Sequence, residues 1–271
     1  LLAEFDEPVS LTIDPDPDYI LAGNATATVT IKSDELLSDL VFTAFSAPSA
    51  AAAGQAISLT DTIKNQGKGA ADPSATHFYL STDGTVDSSD VLLGTREVAA
   101  LAAGTSSSGS TTVTIAQGTA AGTWYIIAKA DATEVVVESS EANNKSSRTI
   151  KIGPDLDVTA FSAPSVAAAG QAIAVTDTTK NQGAGAAEPS QTRFYLSTNG
   201  TLEPADALIG SRSVPALAAG ASSSGSTTVT IPEGTATGTF YLLAQADSEG
   251  VVGEAVETNN TYSRTIKVGP D

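Results

Sequence analysis

The sequence predicts an all-β protein of tandem antiparallel β-sandwiches with an N-terminal β-hairpin fragment. Three observations carry this reading. Residues 40–155 align with residues 156–271 at a constant offset of 116, without insertion or deletion, and roughly two positions in three are identical. A period that long marks whole domains, because solenoid units repeat at about 20–50 residues. Inside each copy the apolar pattern is that of short strands, rich in β-branched and aromatic residues. Turn signals punctuate them at short intervals. About seven short strands in about 115 residues is the signature of an immunoglobulin-like sandwich.

The elements follow in order. Residues 1–38 stand outside the repeat. "EPVSLTI" puts Val9, Leu11 and Ile13 on one face, and "ATATVTI" puts Ala25, Ala27, Val29 and Ile31 on one face, with Thr26, Thr28 and Thr30 opposite. They read as a hairpin with one greasy side, connected by "DPDPDYILAGN". A lone hairpin is marginal in water, so it needs missing strands, docking on the first repeat, or a second copy of the chain. The first sandwich spans 39–154 and the second 155–271. Ala50–Ala53, between Pro48 and Gly54, reads as a loop or edge strand. In "AISLTDTIKN", Ile57, Leu59 and Ile63 alternate with Ser58, Thr60 and Thr62. Asp61 and its partner Asp177 fall in phase with the inward positions. A buried carboxylate needs hydrogen bonds, so a bulge or strand end letting it reach water is the expected resolution. "THFYLST", "STTVTI", "TWYIIAKAD" and "SRTIKI" supply further strands, and "TSSSGS" reads as a loop feeding one of them. Trp124 pairs with Phe240, as a core position would. Gly153-Pro154 forms a short joint whose proline restricts its own φ and the preceding residue, which predicts a semi-rigid, extended arrangement.

Composition excludes several functions. The chain carries 31 acidic and 13 basic residues, a net charge of −18. Nucleic acid, whose phosphates require Lys and Arg, is not an expected partner, nor is an anionic membrane surface. No apolar run approaches spanning length, so membrane insertion is not expected. There is no Cys and one His, which removes the disulfide framework, the usual zinc site and the usual bases and nucleophiles of acyl transfer. His77 corresponds to Arg193, so the module does not depend on imidazole, and a solvent-facing position is expected. Aromatic residues are 5%, too few for the exposed platform of a sugar-cleaving site. The absence of Met and the repeated "GPD" at both repeat ends suggest a piece of a longer protein.

The combination of "KNQG", "FYLST", "ALAAG", "AD…E..E.NN" and "GPDL" resembles the CARDB domain, the cell-adhesion-related domain found in bacteria, over both repeats. The resemblance implies an immunoglobulin-like sandwich in large secreted or surface proteins, with no catalytic residues. The first segment is similar to the last two strands of a Calx-beta domain. Members of that family bind Ca²⁺ partly through acidic residues after the last strand, where Asp34 and Glu35 stand here.

The residues themselves offer two further oxygen-rich sets. Asp131, Glu138, Glu141, Asn143 and Asn144 recur as Asp247, Glu254, Glu257, Asn259 and Asn260. Calcium takes six to eight oxygens from such groups. The competing reading is a polar loop in which Asn shapes the entry to the last strand, and it leads because the spacing matches no dedicated calcium loop. If calcium stiffened the joint, Glu138 and Asn143 would converge with Asp155 and Asp157 of the following repeat. Asp83, Asp87 and Asp90 correspond to Asn199, Glu203 and Asp206, and a solvated acidic hairpin loop is the leading reading there too. Asn24, Asn144 and Asn259 match the N-glycosylation pattern. The expected function is a non-catalytic extracellular or cell-surface module of a bacterial repeat protein, acting as stalk or adhesive segment. It requires no cofactor, Ca²⁺ being the one candidate. Its expected partners are neighbouring repeats and a cell-surface or matrix ligand. The alternatives are a filament subunit self-associating through residues 1–38, a calcium-dependent binding module, and an accessory domain of a secreted enzyme.

Overall fold

A computed structural model describes residues 7–12, 18, 26–31 and 36–269. The hairpin pairs β1 (Glu7–Thr12) with β2 (Thr26–Ile31) in an antiparallel register that sets Val9 opposite Val29. Its polar face zips through hydroxyls, with Ser10 Oγ 3.0 Å from Thr28 Oγ1. Its greasy face is open: Leu11 and Val29 are 69% and 64% exposed. The connector 13–25, Asp18 excepted, lies outside the described residues, as do Asn24, Asp34 and Glu35.

Repeat 1 contains β3 (Leu40–Ser46), β4 (Ala50–Ala51), β5 (Ala56–Asn65), β6 (Ser74–Ser81), β7 (Val91–Val98), β8 (Ser106–Thr114), β9 (Gly122–Lys129) and β10 (Lys145–Ile152). Repeat 2 repeats them as β11 (Leu156–Ser162), β12 (Val166–Ala167), β13 (Ala172–Asn181), β14 (Ser190–Ser197), β15 (Ala207–Val214), β16 (Ser222–Thr230), β17 (Gly238–Gln245) and β18 (Thr261–Val268). Each repeat is two facing sheets. One has the order β3-β5-β8 and the other β4-β10-β9-β6-β7, mirrored in repeat 2 as β11-β13-β16 and β12-β18-β17-β14-β15. The Ala-rich patch is therefore an edge strand, and β4 runs parallel to β10.

The period-two pattern of β5 and β6 places Leu59 and Phe78 fully inside. Phe45 crosses the gap between the sheets to stack on Phe78, centroids 6.1 Å apart, and Phe161 meets Phe194 at 5.8 Å. Trp124 and Phe240 pack against the core but stay partly buried. His77 is half-buried, with Nδ1 3.1 Å from the Tyr79 hydroxyl.

Two expectations fail. The Ser/Gly run is strand from Ser106 onward, not a feeding loop. Its outward hydroxyls bond across to β5, Ser110 to Ser58 and Thr62 to Ser108, each at 2.9 Å. Asp61 and Asp177 do not reach water either. The bulge lies in β3 at Phe42/Ala44 rather than beside Asp61. Asp61 is fully buried mid-strand and receives the Arg96 guanidinium from β7, with Nε 2.9 Å from Oδ1. Arg212 does the same for Asp177 at 2.8 Å. The pair ties the two sheets together, and Gly109 makes room for it: a Cβ there would lie 2.4 Å from Arg96 Cδ.

The joint is three residues long, and hydrogen bonds from both sides hold it. Gly153 donates to Ala51 of repeat 1 at 3.1 Å and accepts from Gly185 of repeat 2 at 3.0 Å. Ala255 donates to the Pro154 carbonyl at 2.7 Å.

Candidate functional site

The acid–Asn segment connects β9 to β10 and folds over the start of its own repeat. Asp131 begins it in the left-handed region, φ 40°, as does Asp247 at 41°. Asp tolerates that conformation better than most residues. Its carboxylate accepts the backbone N–H groups of Val135 and Val136 at 3.2 and 2.9 Å and so closes the turn. Asp247 accepts from Val251 and Val252 at the same distances.

Glu138 is buried, 8% exposed, and both its oxygens are used. One accepts the backbone N–H of Leu40 in a short hydrogen bond, and the other accepts Asn144 Nδ2 at 2.9 Å. Asn144 Nδ2 also reaches Glu141 at 3.2 Å. Asn143 Nδ2 donates to Asp39 at 2.8 Å. Repeat 2 is built alike: Glu254 accepts from Leu156 and from Asn260, and Asn259 donates to Asp155 at 2.8 Å. Glu257 takes a different partner, the Glu254 backbone N–H at 2.8 Å. Burial pushes the Glu138 carboxyl up to about 7, the two hydrogen bonds oppose this, and the nearby Glu141 and Asp131 charges add to it. Glu254 is likewise raised to about 7, by burial first.

The convergence that a calcium-stiffened joint would need does not occur. Asn143 meets Asp39 of its own repeat, and Asp155 is met by Asn259, also of its own repeat. The register explains this: the segment crosses over the first strand of its own sandwich, which Ser38–Glu138 bridging pins in place. The segment is thus a latch from the last strand's entry to the first strand's start. Among the described residues, no group of three or more His, Cys, Asp or Glu side chains is placed to hold a metal ion. Four amide oxygens remain buried without a partner, Oδ1 of Asn143, Asn144, Asn259 and Asn260. Asn144 is 1% exposed, so it is not a glycan acceptor.

The second set builds a hairpin turn. Asp83 accepts the Thr85 N–H and Asp87 the Ser89 N–H, both at 2.7 Å, while Asp90 accepts the Asp87 N–H at 3.0 Å. Hydrogen bonds from Ser89, its hydroxyl first, hold the Asp87 carboxyl below the usual carboxylate value. In repeat 2, Asn199 and Asp206 make the equivalent bonds, to Thr201 and Glu203. Each carboxylate thus serves its own backbone, as Asx turns do.

Sequence reasoning missed two participants. Asp39, paired with Asn143, had no motif of its own. Asn65, at the end of β5, is completely buried and ties Gly69 and Leu101 to the β5 terminus at 2.8 and 2.9 Å. Its recurrence as Asn181 was the available signal.

Comparison with known proteins finds one family in both repeats. The CARDB family model matches residues 37–148 and 153–264. No curated protein matches the chain. Among solved structures, the CARDB domain of PF1109 from Pyrococcus furiosus, in complex with di-metal ions, is similar at 22% identity. It covers 43% of this chain and 90% of its own, with a TM-score of 0.35. A domain of a "putative cell surface protein" from Methanosarcina acetivorans is 19% identical over 43% of this chain and 93% of its own, with a TM-score of 0.34. Red sea bream transglutaminase is 14% identical over 87% of this chain and 32% of its own, with a TM-score of 0.47. The two family matches take in most of the chain and stop short of the hairpin, and the chain belongs to the CARDB family through both of its sandwiches.

Proposed function

We propose that this chain is a non-catalytic, extracellular spacer segment of a bacterial surface or secreted protein, holding whatever lies beyond it at a set distance. One observation carries the reading: the three-residue joint Gly153–Asp155 is hydrogen-bonded to both repeats, leaving no free linker. Repeated self-contained sandwiches with such joints give length without flexibility. Membership of the CARDB family supports it. In this reading the hairpin is the end of a preceding Calx-beta-like unit, and an adhesive ligand would sit on the exposed sheet faces. Small-angle scattering tests it. The expected result is an elongated particle whose two sandwiches lie end to end, and a compact side-by-side pair would sink the spacer role. Limited proteolysis gives a second check, since cutting should be confined to residues outside the two sandwiches.

A calcium-dependent form of the same role rests on the four partnerless Asn oxygens, which lie beside Glu138 and Asp39 in one repeat and Glu254 and Asp155 in the other. An unsatisfied buried acceptor costs about 1–3 kcal/mol, and a hard cation satisfies such oxygens. A thermal melt with excess Ca²⁺ and with EDTA decides it. Binding to the folded state alone would add about 2.7 kcal/mol at a hundredfold excess over Kd, and identical melts would leave the latch as hydrogen bonding only.

A further inference from the structure

The turn between β14 and β15 holds an asparagine that differs from all the others in its setting. Asn199 is followed by Gly200, and no other asparagine of the chain precedes a glycine. It is also the one exposed asparagine among the described residues: Asn65, Asn144, Asn181 and Asn260 are buried, and Asn143 and Asn259 are half-buried. Asparagine is among the thermolabile side chains. Its weak point is the side-chain carbonyl carbon, which the next backbone nitrogen can attack. A Cβ on that next residue obstructs the approach, and glycine has none.

The fold presents the group for this attack. Asn199 Oδ1 accepts the Thr201 N–H at 2.9 Å, an Asx turn that draws the side-chain carbonyl back over the peptide following it. The buried Ser197 hydroxyl lies 3.4 Å from the same oxygen. Both donors face the atom on which negative charge develops when Cγ is attacked, which is where donors help most. The amide nitrogen that must leave, Nδ2, donates to Glu203 Oε1 at 3.3 Å.

We propose that Asn199 is a site of intramolecular deamidation in the folded chain, with water as the only co-reactant. The Gly200 nitrogen gives its proton to solvent base and bonds to Asn199 Cγ. The Cγ–Nδ2 bond breaks, and Nδ2 takes up a proton and leaves as ammonia. Water then opens the cyclic imide at either of its carbonyl carbons. One opening leaves an aspartate at 199; the other leaves isoaspartate, whose main chain is one methylene longer. Repeat 1 supports the acid product, because Asp83 stands at the equivalent position and holds the Thr85 N–H at 2.7 Å. The surroundings of the new charge differ between the repeats. Asp87 takes the Ser89 N–H and hydroxyl at 2.7 and 2.6 Å, whereas Glu203 has Ala205 in place of that serine. Deamidation removes the amide donor from Glu203 and sets a second carboxylate beside it, and like charges repel. The tip of repeat 2 thus loosens with age in a way that repeat 1 does not.

Incubation of the folded chain at mildly alkaline pH, followed by peptide mapping, reads this out. The expected result is acid at position 199 before any other asparagine reacts, with ammonia released in equal amount. Part of the product should be isoaspartate, which an isoaspartyl methyltransferase labels, and Asn199→Asp supplies the reference for the ordinary acid. Gly200→Ala is the decisive variant. Gly200 is outside the left-handed region, and a Cβ on it would meet Ser263 Oγ at 3.5 Å and Tyr241 Cδ1 at 3.7 Å, ordinary contacts. The loop should therefore keep its form while deamidation slows severalfold or more. Equal rates in the variant and the wild type would overturn the proposal. So would an Asn199 that stays intact in the folded chain and reacts only in urea, because the turn would then be holding the amide away from attack.

Discussion

Replacing Arg96 by Met should be the most damaging single change to repeat 1 that leaves its apolar core untouched. The Asp61 side chain has no solvent exposure and Arg96 only 11%. The guanidinium meets Asp61 through Nε and Nη2, and Nη1 reaches Ser107 at 3.1 Å. Met fills similar space but leaves the carboxylate buried and uncompensated. Breaking one side of such a pair costs about 3–5 kcal/mol, whereas replacing both partners by apolar groups is often neutral. At about 4 °C per kcal/mol for a domain of this size, the repeat 1 transition should fall by roughly 12–20 °C. Calorimetry of the whole chain carries its own reference, because repeat 2 keeps Arg212–Asp177 and should melt where it did. Arg212→Met should then move the other transition, and the double change Asp61→Leu with Arg96→Met should recover most of the loss. A drop below about 1 kcal/mol for Arg96→Met would refute the reasoning, because it would mean that water reaches Asp61.

The remaining predictions concern the latch, the close approach at β8 and one orphan hydroxyl. Glu138 and Glu254 titrate near 7 in the folded chain against an ordinary 4.5, so their contribution is full below about 4.5 and lost as pH rises through about 7. Lowering the pH from 8 to 5 should therefore stabilise each repeat by about 1–2 kcal/mol, the shift being discounted for nearby solvent; urea melts should show the gain in the wild type and less of it in Glu138→Gln with Glu254→Gln. Gly109→Ala should cost repeat 1 about 1–3 kcal/mol by overpacking, since its Cβ would strike Arg96 Cδ at 2.4 Å; a neutral melt would show that the guanidinium has another seat. Thr76 Oγ1 is buried without a partner, whereas its counterpart Thr192 bonds Thr179 at 2.8 Å. Thr76→Val should therefore stabilise repeat 1 by about 1 kcal/mol and Thr192→Val should cost repeat 2 about as much, the two opposite shifts being read in one thermogram.

Much of the architecture was settled by local pattern. The 116-residue offset is visible as a repeat of the letters themselves, the alternation of Ile57, Leu59 and Ile63 and the turns between runs lie in sequence neighbours, and strand register follows from which face each residue presents. The same local logic made the Asp83–Asp90 loop readable, because an Asx turn bonds residues two or three apart. What escaped was everything set by distant partners. Whether Asp61 faced water or a cation depended on Arg96, 35 residues away and on the other sheet. The Ser/Gly run became strand because β5 stood ready to pair with it. Asp131, Glu138 and the asparagines could be singled out as a set, but their task was decided by the 104-residue reach from Asn143 to Asp39 and by the Leu40 N–H that Glu138 accepts. A carboxylate in a chain is an acceptor in search of a donor, and only the folded sandwich says which donor arrives.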